Sequence, residues 1–249
     1  MDKNGIKKII LWIALIIGVA IFFISNSNNN KKIKEAGFDN KRDYQISLMV
    51  DKEMTNDYKN ILILTDNTLE STNIIELLSN AGYNPRLSTN TAPTLLNVIT
   101  TNRNSKHENI IMCGCTFIDY IMYNQMRLES AEDLKELEEL IKLSDIELAG
   151  LSQKRFIYII GPKYEYEDSK SYEITYEEYV EIVKTRLETA NVEYIDLSNY
   201  NAGTLKNDKL EPFNANLTNV YYTEMLNYMK KVNEKDIKEL TEFYQENLK

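Results

Sequence analysis

From residue 59 onward, short apolar runs rich in β-branched residues alternate with amphipathic stretches of helical period, and this alternation restricts the possible folds more than any other feature. NILIL (60–64) precedes STNIIELLSNAG (71–82), and YNPRLS (83–88) precedes APTLLNVITTN (92–102). NIIMCG (109–114) leads to the acidic SAEDLKELEELIKL (130–143), RFIYIIG (155–161) to TYEEYVEIVKTRLETA (175–190), and VEYIDL (192–197) to LTNVYYTEMLNYMKKV (217–232). Strands that are apolar throughout and separated by helices belong to a parallel sheet covered on both faces. The predicted fold is therefore an α/β three-layer sandwich with a five-stranded parallel sheet in flavodoxin-like order. Ser130 with Asp133 and Thr175 with Glu178 have the spacing of capping boxes, and Gly82 and Gly161 stand where elements should end. KDIKELTEFYQENLK (235–249) reads as a final helix.

At 249 residues with 43% hydrophobic content, the chain is long enough for one sizeable globular domain. Its net charge of -9 is unevenly spread: residues 1–34 hold six lysines against Asp2, a local +5, which leaves -14 for the remainder. So acidic a remainder repels a nucleic-acid backbone or an anionic surface, and nucleic acid is not an expected partner. Cys113 and Cys115, one residue apart at the end of a strand, read as free thiols, and without neighbouring histidine or further thiolate they form no metal site. No cofactor motif is present in the sequence.

Ile9–Ile24 is an uncharged apolar run preceded by Lys7 and Lys8 and followed by the polar, then basic, SNSNNNKKIK. With flanking residues at the interface it approaches the span of about 20 residues that a transmembrane helix needs. No small-x-small cleavage site follows it, so an uncleaved anchor is expected. This divides the chain into a membrane anchor with a short cytoplasmic end (1–30), a polar stalk and lead-in (31–58) and an α/β domain (59–249). Lysines abut the run on its N-terminal side, which places the domain outside the cytoplasm. A domain facing the cytoplasm is the competing arrangement.

In such a sheet, ligands bind beyond the carboxyl ends of the strands. The segments gathered there are Thr65-Asp66-Asn67, Asn90-Thr91-Ala92, Gly114-Cys115-Thr116, Gly161-Pro162-Lys163 and the loop FNANLT (213–218). In order and spacing these resemble the SGNH (GDSL) hydrolase family over Lys59–Met229. ILILTDNTLES keeps Asp66 of the family's Gly-Asp-Ser turn, with Asn67 where the resemblance implies the nucleophilic serine. IIMCGCTF keeps Gly114 but has Thr116 and Phe117 in the Gly-x-Asn-Asp motif, and FIYIIGP supplies the turn after the fourth strand. In the closing Asp-x-x-His loop, Phe213 and Asn216 occupy the two catalytic places, and after the second strand Ala92 and Pro93 stand where an oxyanion-hole glycine is expected. The resemblance implies an SGNH-like sheet order and a catalytic set that has been replaced at Asn67, Thr116, Phe213 and Asn216.

The chemistry of the residues points the same way. Acyl transfer needs a hydroxyl or thiol nucleophile, a base in reach and oxyanion donors. An asparagine amide is not nucleophilic, and the single histidine, His107, precedes the third strand, about 15 Å from the ligand-binding edge by strand rise. Cys115 lacks a base to ionise it, and Asp66 with Asp119 is the one carboxylate pair to consider for acid-base work. Asp66, Asn67, Asn90, Gly114, Thr116, Asn214 and Asn216 are candidate binding residues, whose amides and hydroxyls suit saccharide hydroxyls; asparagines filling turns would have the same composition. KYEYEDSKSYEITYEEY (163–179) concentrates tyrosine and acid beside the same edge, as an interaction surface or as a solvated loop. The expected function is a non-catalytic binding or scaffolding module at the cell envelope, acting on envelope glycan or with an envelope enzyme. The alternative is an active esterase or O-acyltransferase on envelope polysaccharide with an atypical site.

Overall fold

The computed structural model describes residues 30–54, 57–89, 94–96, 109–114, 116–152, 155–166, 172–205 and 211–248. The apolar run Ile9–Ile24, Asn90, His107 and Cys115 lie outside these residues. Among the described residues no helix is long and apolar enough to cross a membrane.

The chain divides into two compact units. The larger, Met54–Lys235, is built on strands β1 (Asn60–Leu64), β2 (Asn84–Ser88), β3 (Asn109–Cys113), β4 (Arg155–Ile160) and β6 (Glu193–Asp196). They form one parallel sheet in the order β2-β1-β3-β4-β6, the flavodoxin-like order. β5 (Lys163–Tyr166) and β7 (Asn201–Leu205) pair separately as a two-stranded parallel sheet. The helices of this unit are the short α2 (Asn67–Glu70), then α3 (Ile74–Asn80), α4 (Thr116–Glu129), α5 (Ala131–Leu151), α6 (Tyr176–Thr189) and α7 (Ala215–Asn247), the last running on past its boundary.

Alternation along the strands builds two cores. Leu62, Leu64, Ile110, Met112, Phe156, Tyr158 and Ile160 face α4, α5 and α6, with Leu137, Leu148, Tyr179 and Val183 among the helical residues they meet. Ile61, Ile63, Ile111, Cys113, Ile157 and Ile159 face the other way, against Leu69, Ile74 and Leu78 and the i, i+4 series Leu217, Tyr221, Met225 and Met229 of α7. The three-layer α/β architecture with a five-stranded parallel sheet is thus the observed one.

Local signals act as their chemistry directs. Thr175 and Glu178 close a full capping box on α6, and the Ser130 hydroxyl accepts from the Asp133 amide at the start of α5. Gly82 takes φ +89° and lets the chain leave α3 toward β2. Four elements depart from the expectation. TFIDYIMYNQMRLE, read as part of a connection, is the helix α4, because Phe117, Tyr120, Ile121 and Asn124 fall on its buried face. LTNVYYTEMLNYMKKV and the terminal segment join as the single 33-residue helix α7, since neither glycine nor proline interrupts them. The strands β5 and β7 also lie in stretches read as loop.

The smaller unit comprises the chain up to Glu53 together with Asp236–Lys249. Within the segment expected to be a stalk, residues 30–35 are helical and α1 spans Lys41–Glu53. Asn40 starts α1 by accepting from the Asp43 amide at 2.9 Å. Ile46 and Val50 are buried, the Arg42 guanidinium donates to the Gln245 carbonyl, and the Tyr244 hydroxyl donates to Glu53 at 2.5 Å.

Candidate functional site

The carboxyl ends of β1, β3 and β4 converge with the loop before α7, as the topology requires. Phe213 donates its amide to the Thr68 carbonyl at 3.0 Å, which fastens the closing loop to the turn after β1. Asp66, Thr68, Cys113, Gly114, Thr116, Gly161, Phe213 and Tyr221 line one cavity there. Its volume is about 20 Å³, room for a single water.

Asp66, Thr116, Phe213 and Asn214 each have a structural role. Asp66 caps α2, accepting from the Thr68 amide at 2.8 Å and from the Thr68 hydroxyl. Asn67 opens that helical turn with its side chain exposed. Thr116 is buried and its Oγ1 accepts from the Gly161 amide at 2.9 Å, tying the end of β4 to the start of α4; the Tyr158 hydroxyl lies 3.5 Å from it. Tyr176 donates to the Gly161 carbonyl at 2.8 Å, so the turn after β4 is held from both sides. Phe213 stacks on Tyr221 with ring centroids 5.0 Å apart and planes 27° from parallel. Asn214 accepts from the Leu217 amide at 2.9 Å at the start of α7, and Asn216 is exposed.

The set of candidate binding residues therefore separates. Asp66, Gly114 and Thr116 line the cavity, whereas Asn67, Asn214 and Asn216 are exposed and are not part of its lining. Gly114 is constrained for a reason unrelated to a ligand: a Cβ there would stand 2.0 Å from the Tyr158 hydroxyl oxygen and 2.3 Å from its Cζ. Tyr158 and Tyr221, which help seal this edge, were not recognisable as site residues because each sits in an ordinary apolar run. Only strand and helix periodicity places them, and their role depends on partners distant in sequence.

The chemistry available in the cavity is limited. Burial pushes the Cys113 thiol well above its usual range and the neighbouring Asp66 charge adds to this, so the thiol stays protonated. Cys113 is a free, buried thiol. Asp119 does not join Asp66 as an acid-base pair. It is fully buried at the start of α4, where its carboxyl accepts from the Leu95 amide and, at 3.3 Å, from the Leu96 amide, and so fixes the segment after β2. Ser144 donates to the Leu96 carbonyl at 2.5 Å from the other side. Burial raises Asp119 to about 7, against the opposing pull of these hydrogen bonds and of Arg186. Among the described residues, no three histidine, cysteine or carboxylate side chains are placed to hold a metal ion.

A second, larger depression lies at the carboxyl ends of β4 and β6. It measures about 410 Å³ and is walled by α6, β5 and the turn from β6 to β7, including Lys163, Glu177, Lys184, Asp196, Tyr200 and Asn201. From the segment 163–179, Lys163, Glu165, Tyr176 and Glu177 contribute one wall. The SNYN stretch at 198–201 supplies the other and carried no sequence signal beyond that of a turn. Comparison with protein-family models, curated proteins and solved structures finds no match to the chain.

Two outcomes follow from this geometry. Gly114→Ala should lower stability by about 1–3 kcal/mol in urea denaturation, and combining it with Tyr158→Ala should cost less than the two single losses added, because the clash is removed. The Asp119 carboxyl, at about 7 when folded against 3.8 ordinarily, binds its proton more tightly in the native state. Its contribution is full below about pH 4 and is lost as pH rises through about 7, with a slope of at most about 1.4 kcal/mol per pH unit. Glu177 and Asp196, which are held below the usual carboxylate range, act oppositely and lose their contribution as pH falls. Denaturation midpoints between pH 5 and 7 should therefore fall for the wild type, and Asp119→Asn should flatten that decline.

Proposed function

We propose that the chain is a membrane-anchored, extracytoplasmic module of the cell envelope: an SGNH-hydrolase-like domain without the Ser/His/Asp set, which binds or scaffolds and does not catalyse. The observation that carries this reading is the closure of the edge where the family's chemistry would sit. A cavity with room for one water cannot admit an ester and an attacking nucleophile together. Phe213, at the place of the catalytic aspartate, stacks on Tyr221, and Asn67, at the place of the serine, has an amide that cannot be acylated. Cys113, which lines the cavity, is kept protonated by burial.

Anchoring rests on the apolar run Ile9–Ile24 with Lys7 and Lys8 before it. The acidic remainder of the chain supports a neutral or cationic partner over an anionic surface. An envelope glycan or an envelope enzyme meets that condition.

The catalytic part of the proposal is tested by hydrolysis of p-nitrophenyl acetate. The full-length chain, its Asn67→Ala variant and its Cys115→Ala variant should all give the rate of buffer alone. Turnover above buffer that either substitution abolishes would identify a nucleophile and favour the esterase reading. The anchoring part is tested by protease treatment of intact cells. Degradation of the domain before lysis is the expected result, and protection until lysis would place it in the cytoplasm.

A further inference from the structure

We propose that the groove of about 410 Å³ between α6 and the β6–β7 turn is a binding site for a neutral saccharide, with Tyr200 as its stacking surface. This rests on the binding-module reading and moves the ligand from the closed strand edge to the open one. The volume falls within the range of about 300–1,000 Å³ typical of small-molecule sites, whereas the cavity at Asp66 does not.

The electrostatics select the ligand class. Lys163 is paired with Glu177 at 2.7 Å, and Lys184 with Asp196 at 2.7 Å and Glu181 at 2.8 Å. Glu165 accepts from the Asn201 side-chain amide at 2.8 Å. Both cations of the groove are already neutralised, and carboxylates outnumber them, so an anionic ligand meets repulsion. A cationic ligand would have to compete with the two lysines for carboxylates already engaged. What remains is a wall of hydroxyls, amides and ion-pair edges able to donate and accept hydrogen bonds to a neutral polyol. Ser198, Asn199 and Asn201 lie on that wall.

The aromatic element is fixed in place. Tyr200 is 45% exposed, yet its backbone is held at both ends: its amide donates to the Leu197 carbonyl at 3.0 Å and its carbonyl accepts from the Lys163 amide at 2.9 Å. Asp196 braces the same turn, accepting from the Ser198 amide at 2.9 Å and hydroxyl at 2.6 Å. Gly203, at φ +106° within β7, accommodates the register shift of that strand against β5, and its amide donates to the Asn201 side chain at 2.7 Å. A large aromatic face kept partly in solvent by a rigid turn, beside polar groups, offers one surface to the C–H face of a sugar ring and the other to its hydroxyls.

The test uses the full-length chain in a detergent without a sugar headgroup. Binding of chitotetraose and maltotetraose is measured by calorimetry and saturation-transfer NMR, beside tetragalacturonate as the anionic probe and spermidine as the cationic one. At least one neutral tetrasaccharide should bind, Tyr200→Ala should weaken it about tenfold or more, and Tyr200→Phe should retain it. Absence of binding by both neutral probes overturns the proposal, as does preference for tetragalacturonate or spermidine. Neutral-saccharide binding that survives Tyr200→Ala and is lost in Asn67→Ala would also overturn it, while leaving the binding-module reading standing. That reading fails separately, on esterase turnover.

Discussion

Burial of the central strands on both faces is the constraint from which the rest of the large unit follows. β1, β3 and β4 are apolar at nearly every position, so each needs helices above and below it. The two cores divide by residue parity: Ile61, Ile111 and Ile157 are covered by α3 and α7, while Leu62, Ile110 and Tyr158 are covered by α4, α5 and α6. A parallel arrangement with such cover sends every strand's carboxyl end to the same edge. The convergence of Asp66, Gly114, Gly161 and Phe213 is therefore a product of topology and needs no ligand to explain it.

That edge has two halves with different physical states. Over β1, β3 and β4 it is packed by Tyr158, Tyr164, Phe213 and Tyr221, with Thr116 bonded to Gly161 across the strand ends. The close approach of Tyr158 to Gly114 shows how little space is left, since even a methyl group at residue 114 would collide with the phenol. Over β4 and β6, beside the additional β5–β7 pair, lies a groove whose walls are polar and whose two lysines are both paired with carboxylates. The same fold thus carries a sealed half and an open half, separated by the Gly161-Pro162 turn that Tyr176 and Thr116 hold.

The strands and their order were legible because periodicity and burial are local consequences of composition. NILIL and RFIYII begin and end as read, and the Thr175–Glu178 cap starts α6 at the expected residue. What escaped was decided by distant partners. α4 carries polar residues such as Asp119 and Asn124 on its buried side, which blur an apolar stripe. Asp119 is tolerated there because the Leu95 and Leu96 amides reach it, and Asn124 because it donates to the Tyr120 carbonyl and accepts from the Ile174 amide. The segment 31–58 read as a stalk because it is polar and only weakly periodic, yet Ile46 and Val50 give α1 a buried stripe. At the strand edge, the sequence brought Asp66, Gly114, Thr116 and Phe213 together but could not tell an empty pocket from a filled one. That difference lies in the stack of Phe213 on Tyr221 and in the reach of Tyr158 to Gly114.

The side chains at this edge are engaged in packing and capping. An aspartate at residue 213 would set a carboxylate beside the Tyr221 ring, with burial to oppose its charge. Phenylalanine there stacks on that ring and closes the cavity. A serine at residue 116 would keep the hydroxyl that accepts from Gly161 but lose the methyl group, so threonine both satisfies the amide and fills space. Asp66 caps α2 through Thr68. The side chains at this edge are thus those that pack and those that cap, whereas polar groups in contact with solvent line the groove between α6 and the β6–β7 turn.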